Sequence, residues 1–170
     1  MRNILFSFVS FILAGCHGYP AAVTPVSGFE LERYLGKWYE IARLDHSFER
    51  GLERVTAEYS LGGNGKVKVV NRGFAMSTNE WKEAIGKAYL VREADEGYLK
   101  VSFFGPFYSS YVIFGMDHEK YQYAFISGPS ESYLWLLSRT PSVDKGVLDL
   151  FIKSAERAGF DTDKLIYVPQ

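Results

Sequence analysis

In Arg54-Val55-Thr56-Ala57-Glu58-Tyr59-Ser60-Leu61 and Lys66-Val67-Lys68-Val69-Val70, apolar and polar side chains take turns, with Val70 alone out of step. A period of two belongs to a strand with one dry and one wet face, so Val55, Ala57, Tyr59, Val67 and Val69 share an interior. Between the two runs stand Gly62-Gly63-Asn64-Gly65, residues able to take the positive φ values of a tight turn. The pair reads as an antiparallel hairpin, the unit from which a meander or a barrel is made.

The pattern extends in both directions. A short turn at 31–35 precedes eight β-rich runs at about 37–46, 54–61, 66–74, 80–91, 98–104, 110–117, 121–127 and 133–139, separated by turn residues. Val147, Leu148, Phe151, Ile152 and Ala155 then recur at helical spacing within 142–158, with Asp149, Lys153, Glu156 and Arg157 on the other side. Ser142 is the expected N-cap and Gly159 the expected stop. This helix is expected on the outer wall of the sheet, and 165–168 adds a short final strand. The fold class is therefore all-β, an antiparallel sheet or barrel of eight strands with one C-terminal helix outside.

A barrel of about eight strands has an interior that side chains fill or that holds one small ligand. Carrying the phase forward places Ala84, Gly86, Ala88, Leu99, Val101, Phe103, Tyr111, Ile113, Ala124, Ile126, Tyr133, Trp135 and Leu137 inside. The small residues Ala57, Ala84, Gly86, Ala88 and Ala124 thin one wall and predict a cavity; the alternative is a solid core in which the aromatics simply pack. Predicted ligand contacts are Ala57, Tyr59, Val69, Ala88, Val101, Phe103, Tyr111, Ile113, Ala124, Ile126, Tyr133, Trp135 and Leu137. Tyr111, Tyr133 and Trp135, with apolar bodies and polar tips, are expected to orient the ligand's polar portion.

Composition narrows the function. Of 170 residues, 19 are Lys or Arg and 20 Asp or Glu, a formal charge of −1 that lacks the basic face a nucleic-acid binder needs. A single cysteine excludes an intramolecular disulfide and a thiolate cluster. Arg2 precedes an apolar stretch from Ile4 to Ala14, too short to span a bilayer and suited to an export signal. Residues 18–28, with Pro20 and Pro25, read as a flexible tether. His17, His46 and His118 show no spacing for a metal site or a catalytic triad, no Gly-x-Ser-x-Gly elbow occurs, and Asp161 and Asp163 read as a turn. No enzyme chemistry, cofactor or metal is implied.

Two sets of residues carry resemblances. Leu13-Ala14-Gly15-Cys16 resembles the lipobox of bacterial lipoproteins, an ordinary secretory signal that happens to contain a cysteine being the alternative. The lipobox implies a signal peptide of residues 1–15, acylation of Cys16, a lipidated tether over 16–29 and a domain over 30–170. His17 is not the aspartate that retains lipoproteins in the inner membrane, so the resemblance implies the outer membrane. Gly36-Lys37-Trp38-Tyr39-Glu40 and Ser138-Arg139-Thr140-Pro141 resemble the opening and closing signatures of the lipocalin family, which implies an eight-stranded antiparallel up-and-down barrel whose arginine packs over the tryptophan to close the floor. With Phe48-Glu49-Arg50-Gly51-Leu52, Val101-Ser102-Phe103-Phe104-Gly105-Pro106-Phe107-Tyr108 and Tyr133-Leu134-Trp135-Leu136-Leu137, the likeness is to the bacterial outer-membrane branch of that family.

The resemblance implies a periplasm-facing, lipid-anchored carrier of single-tail lipids, fatty acid or lysophospholipid, serving membrane maintenance under stress. The alternatives are a surface module with a filled barrel that binds a protein and a lipocalin-type enzyme. Phe104, Phe107 and Tyr108 cluster at the expected open end, where they could touch a membrane, form a homodimer with a second copy, or pack their own rim. His46, Glu49, Arg50 and Arg54 at the same end could attract an anionic head group or be merely solvated.

Overall fold

The computed structural model describes residues 18–92 and 95–170, apart from the side chain of Asn64. Cys16, the apolar stretch before it and His17 lie outside the described residues. A one-turn helix α1 (Leu31–Tyr34), where the sequence suggests a turn, leads into eight strands: β1 (Gly36–Arg43), β2 (Leu52–Leu61), β3 (Val67–Ala75), β4 (Glu80–Leu90), β5 (Tyr98–Ser102), β6 (Ser109–Met116), β7 (Tyr123–Ser127) and β8 (Leu134–Ser138). Helix α2 (Lys145–Arg157) and β9 (Ile166–Tyr167) follow.

Each of β1 to β8 pairs antiparallel with its sequence neighbours, and β1 pairs with both β2 and β8, which closes the barrel. β9 adds to β1 outside the closed ring. The β2–β3 connection is a 3₁₀ turn over Gly63–Gly65 in which only Gly65, at φ +70°, uses the left-handed freedom expected of the glycine run.

The register shifts at three places, in β1, β2 and β6, and two of them set which way side chains point in the barrel wall. In β1 the register skips between Glu40 and Ala42 against β8, leaving Ile41 unpaired. Such a bulge re-aims the strand: Glu40 and Arg43 are buried and bonded to each other, while Ala42 joins the apolar layer outside. In β6 the skip at Phe114 sends its ring outward onto Phe125 and Phe160 and returns Met116 to the interior.

α2 lies on the outer wall. Phe151 and Ala155 are fully buried against the layer that contains Ala42, Phe125, Leu134 and Leu136. Its N-cap is Asp144 and not Ser142: Asp144 Oδ1 accepts from the Val147 N–H at 2.9 Å. Gly159 ends it at φ +87°.

The expected flexible tether is, from Gly18 onward, a fixed strap. Tyr19 packs edge-on against Tyr98, Val23 and Phe29 are buried, and Val26 bonds through its N–H to Ile113 O at 2.9 Å and through its O to Gly97 N at 2.8 Å. Prolines at 20 and 25 cost nothing here because the strap crosses the β5–β6 surface instead of joining the sheet as a paired strand.

A candidate ligand cavity

One end of the barrel is a floor. Trp38 is completely buried, donates through its indole N–H to Tyr34 O at 2.8 Å, and lies under Arg139, whose guanidinium carbon is 3.9 Å from the ring centre. Arg139 also donates to Lys37 O (2.9 Å), Arg33 O (2.8 Å) and Tyr121 O (3.3 Å), tying β1, α1 and the β6–β7 turn together. Above the indole, three tyrosine hydroxyls meet: Tyr34 to Tyr111 at 2.6 Å and Tyr59 to Tyr111 at 2.8 Å. Burial pushes all three phenols up, so they stay neutral and form a polar plug with no net charge.

The other half is hollow. A cavity of about 530 Å³ opens between the loops 44–51, 103–108 and 128–133 and the mouth-side halves of β3 and β4, within the roughly 300–1,000 Å³ typical of ligand pockets. Ten of the thirteen predicted contacts line it: Ala57, Tyr59, Val69, Val101, Phe103, Tyr111, Ile126, Tyr133, Trp135 and Leu137. Ala88, Ile113 and Ala124 do not. They face inward too, but belong to the solid half, packed with Trp38, Leu99 and Met116. Period two reports the face of a strand and not the height along it, which is why the three were not separable by pattern.

The wall is thin where β4 outruns β5. The pairing ends at Lys87 with Ser102, so the first half of β4 has no β5 partner. Gly86 lets Phe103 close part of the gap: a Cβ there would stand 2.8 Å from the Phe103 ring and from Ser102 O.

The polar groups are arranged differently from the sequence expectation. Tyr111 has spent its hydroxyl on Tyr34 and Tyr59, and Trp135 donates its indole N–H to Glu49 Oε2 at 3.0 Å. Of the three expected orienting groups, only the Tyr133 hydroxyl makes no hydrogen bond among the described residues. Glu49 instead centres a buried cluster: its second contact is His46 Nε2 at 2.9 Å, while Arg43 donates to Glu40 Oε1 at 2.7 Å and to Glu49 O at 3.0 Å. Glu40 and Glu49 both line the cavity. Burial raises the Glu40 carboxyl well above the usual range, the Glu49 charge adds to this, and Arg43 opposes it. Asn71 Oδ1 and Ser102 Oγ, also on the cavity wall, are buried with no partner among the described residues. Glu40, Asn71 and Ser102 escape a reading that counts only apolar alternation.

The four charged residues that the sequence places at the mouth, either to attract an anionic head group or to be solvated, divide between these roles and burial. His46 and Glu49 are buried together, Arg50 is paired with Asp45, and Arg54 sits over the Phe74 ring. The aromatic lip divides: Tyr108 packs edge-on against Tyr89, whereas Phe104 and Phe107 remain 77% and 79% exposed.

A barrel with one floor, one mouth and a hollow between is the scaffold of proteins built around a single internal ligand. The chain belongs to the lipocalin family: residues 29–170 match the lipocalin-like domain. It is 61% identical over 170 residues, all of this chain and 99% of the relative, to the outer membrane lipoprotein Blc of Vibrio cholerae. It is 46% identical over 163 residues, 95% of this chain and 92% of the relative, to the protein of the same name from Escherichia coli K12. Insecticyanin of Manduca sexta shares the fold with a TM-score of 0.72 at 24% identity, over 90% of this chain and 87% of that one.

Proposed function

We propose that this chain is an outer-membrane lipoprotein that carries single-tail lipids, fatty acids or lysophospholipids, for membrane maintenance, and that it is not an enzyme. The observation that carries the reading is the hollow upper half of the barrel, walled mostly by apolar side chains. A tail of about 16 methylenes, each needing about the 30 Å³ of a water molecule, fills about 480 Å³. That suits one tail in the 530 Å³ available and leaves no room for a second. A filled barrel acting only through its surface is disfavoured by the same volume.

Moving such a tail from water gains on the order of 13 kcal/mol at about 0.8 kcal/mol per methylene. From a membrane, where the tail is already dry, most of that gain cancels. Discrimination then falls to the head group and to tail number. The names of the relatives, with the lipobox-like residues Leu13-Ala14-Gly15-Cys16, support acylation of Cys16, removal of residues 1–15 and attachment to the outer membrane, on which the domain is proposed to face the periplasm. At least two acyl chains are needed for stable anchoring.

Displacement of a fluorescent fatty acid tests the carrier reading. Saturable one-to-one release by lysophospholipid, and none by a diacyl phospholipid, is the expected result. Failure to bind any single-tail lipid saturably would overturn it.

A further inference from the structure

We propose that the mouth of the barrel faces, and rests its aromatic lip on, the same bilayer leaflet that holds the acyl anchor. The inference deepens the carrier reading and rests on the acylation of Cys16 proposed with it.

The first argument is where the chain leaves the domain. Gly18 lies against the outside of β5 and β6 at their mouth-side ends: a methyl on it would stand 3.3 Å from both Lys100 Nζ and Ser110 Oγ. Ser110 is the second residue of β6, directly after the loop 103–108 that carries Phe104 and Phe107. From Gly18 the strap descends, reaching Ile113 at Val26 and crossing under the floor with Phe29. Gly18 stands two positions after Cys16, with only His17 between them, a covalent reach of about 7 Å. The floor end of β6, at Met116, is six residues below Ser110, about 20 Å at about 3.4 Å per residue. An anchor on Cys16 therefore reaches a membrane on the mouth side and falls short of one under the floor.

The second argument is the surface at each end. The mouth exposes Phe48, Met76, Trp81, Phe104 and Phe107, the last two more than any other large apolar side chain among the described residues. The floor end exposes Leu61 and Val91 beside Lys66, Arg92, His118, Glu119 and Lys120. Aromatic side chains suit the interface between water and hydrocarbon, and exposed apolar clusters mark contact surfaces. A lip pressed to the leaflet lets a tail pass from bilayer to cavity without crossing water.

Acylation consumes the only native thiol, so a new cysteine in the lipidated full-length protein is a unique site for an environment-sensitive fluorophore. The label goes on Phe107→Cys or Met76→Cys at the mouth, or on Glu119→Cys at the floor, each checked for native circular dichroism. In vesicles of phosphatidylethanolamine and phosphatidylglycerol, both mouth labels are expected to shift to the blue and lose quenching by aqueous iodide, while the floor label stays quenched. Mouth labels as accessible as the floor label would overturn the proposal. So would shielding that disappears when vesicles hold one protein each, since a second copy would then cover the lip. Protein recovered without lipid on Cys16 overturns the premise but leaves fatty-acid binding from water intact, which separates this failure from failure of the carrier reading.

Discussion

Trp135 shows how a residue can be placed by pattern and misread in role. Its inward position follows from alternation along β8, but its N–H serves Glu49. Trp135→Phe is therefore expected to remove a donor from a buried carboxylate, at a cost of about 1–3 kcal/mol. Calorimetry should record it as a lower Tm, with little change in fatty-acid affinity. Tyr111→Phe likewise strips two buried hydroxyls of their shared partner and should lower Tm more than affinity; the reverse ordering would mean that the ligand reaches the hydroxyl directly. Glu40 supplies a pH signature. The folded chain keeps a proton on it that the unfolded chain releases near pH 4.3. The stability tied to Glu40 is thus complete below that pH and falls as pH rises toward the raised value. Glu40→Gln should flatten this decline, measured as Tm at steps from about pH 4 to about pH 8. Charged residues near a barrel mouth read as solvated in sequence because the partners that bury them, here Arg43 and Glu49, lie on the far side of a bulge and in a loop.

At the scale of elements, the strands and α2 were legible because both of their periods were clean. Trp38 and Arg139 were legible because a motif, not a period, ties the two ends of the chain. The bulges at Ile41 and Phe114 were not, since an inserted residue looks the same as a change of phase. The strap was not either: small residues and prolines are shared by linkers and by segments that pack without joining a sheet, and only the burial of Val23 and Phe29 separates the two. Two substitutions test the element contacts. Phe151→Ala, which empties the centre of the helix–barrel layer, should cost about 3–5 kcal/mol in chemical denaturation. Gly86→Ala, which drives a methyl into the Phe103 ring and the Ser102 carbonyl, should cost about 1–3 kcal/mol and narrow the thin wall, weakening lipid binding as well.

Across the whole molecule, the barrel is two stacked halves. The lower is a solid core capped below by Trp38 and Arg139; the upper is a void. Between them the tyrosine hydroxyls set a fixed depth. Affinity for fatty acids should rise with tail length and then level off once the tail spans the hollow half, a series that isothermal titration can follow. That same partition makes the protein a cup and not a pipe. On the proposed carrier reading, cargo must back out through the opening by which it came in, so delivery to a different surface demands that the whole body turn or travel, and an acyl anchor on Cys16, two positions before Gly18, would set how far it can.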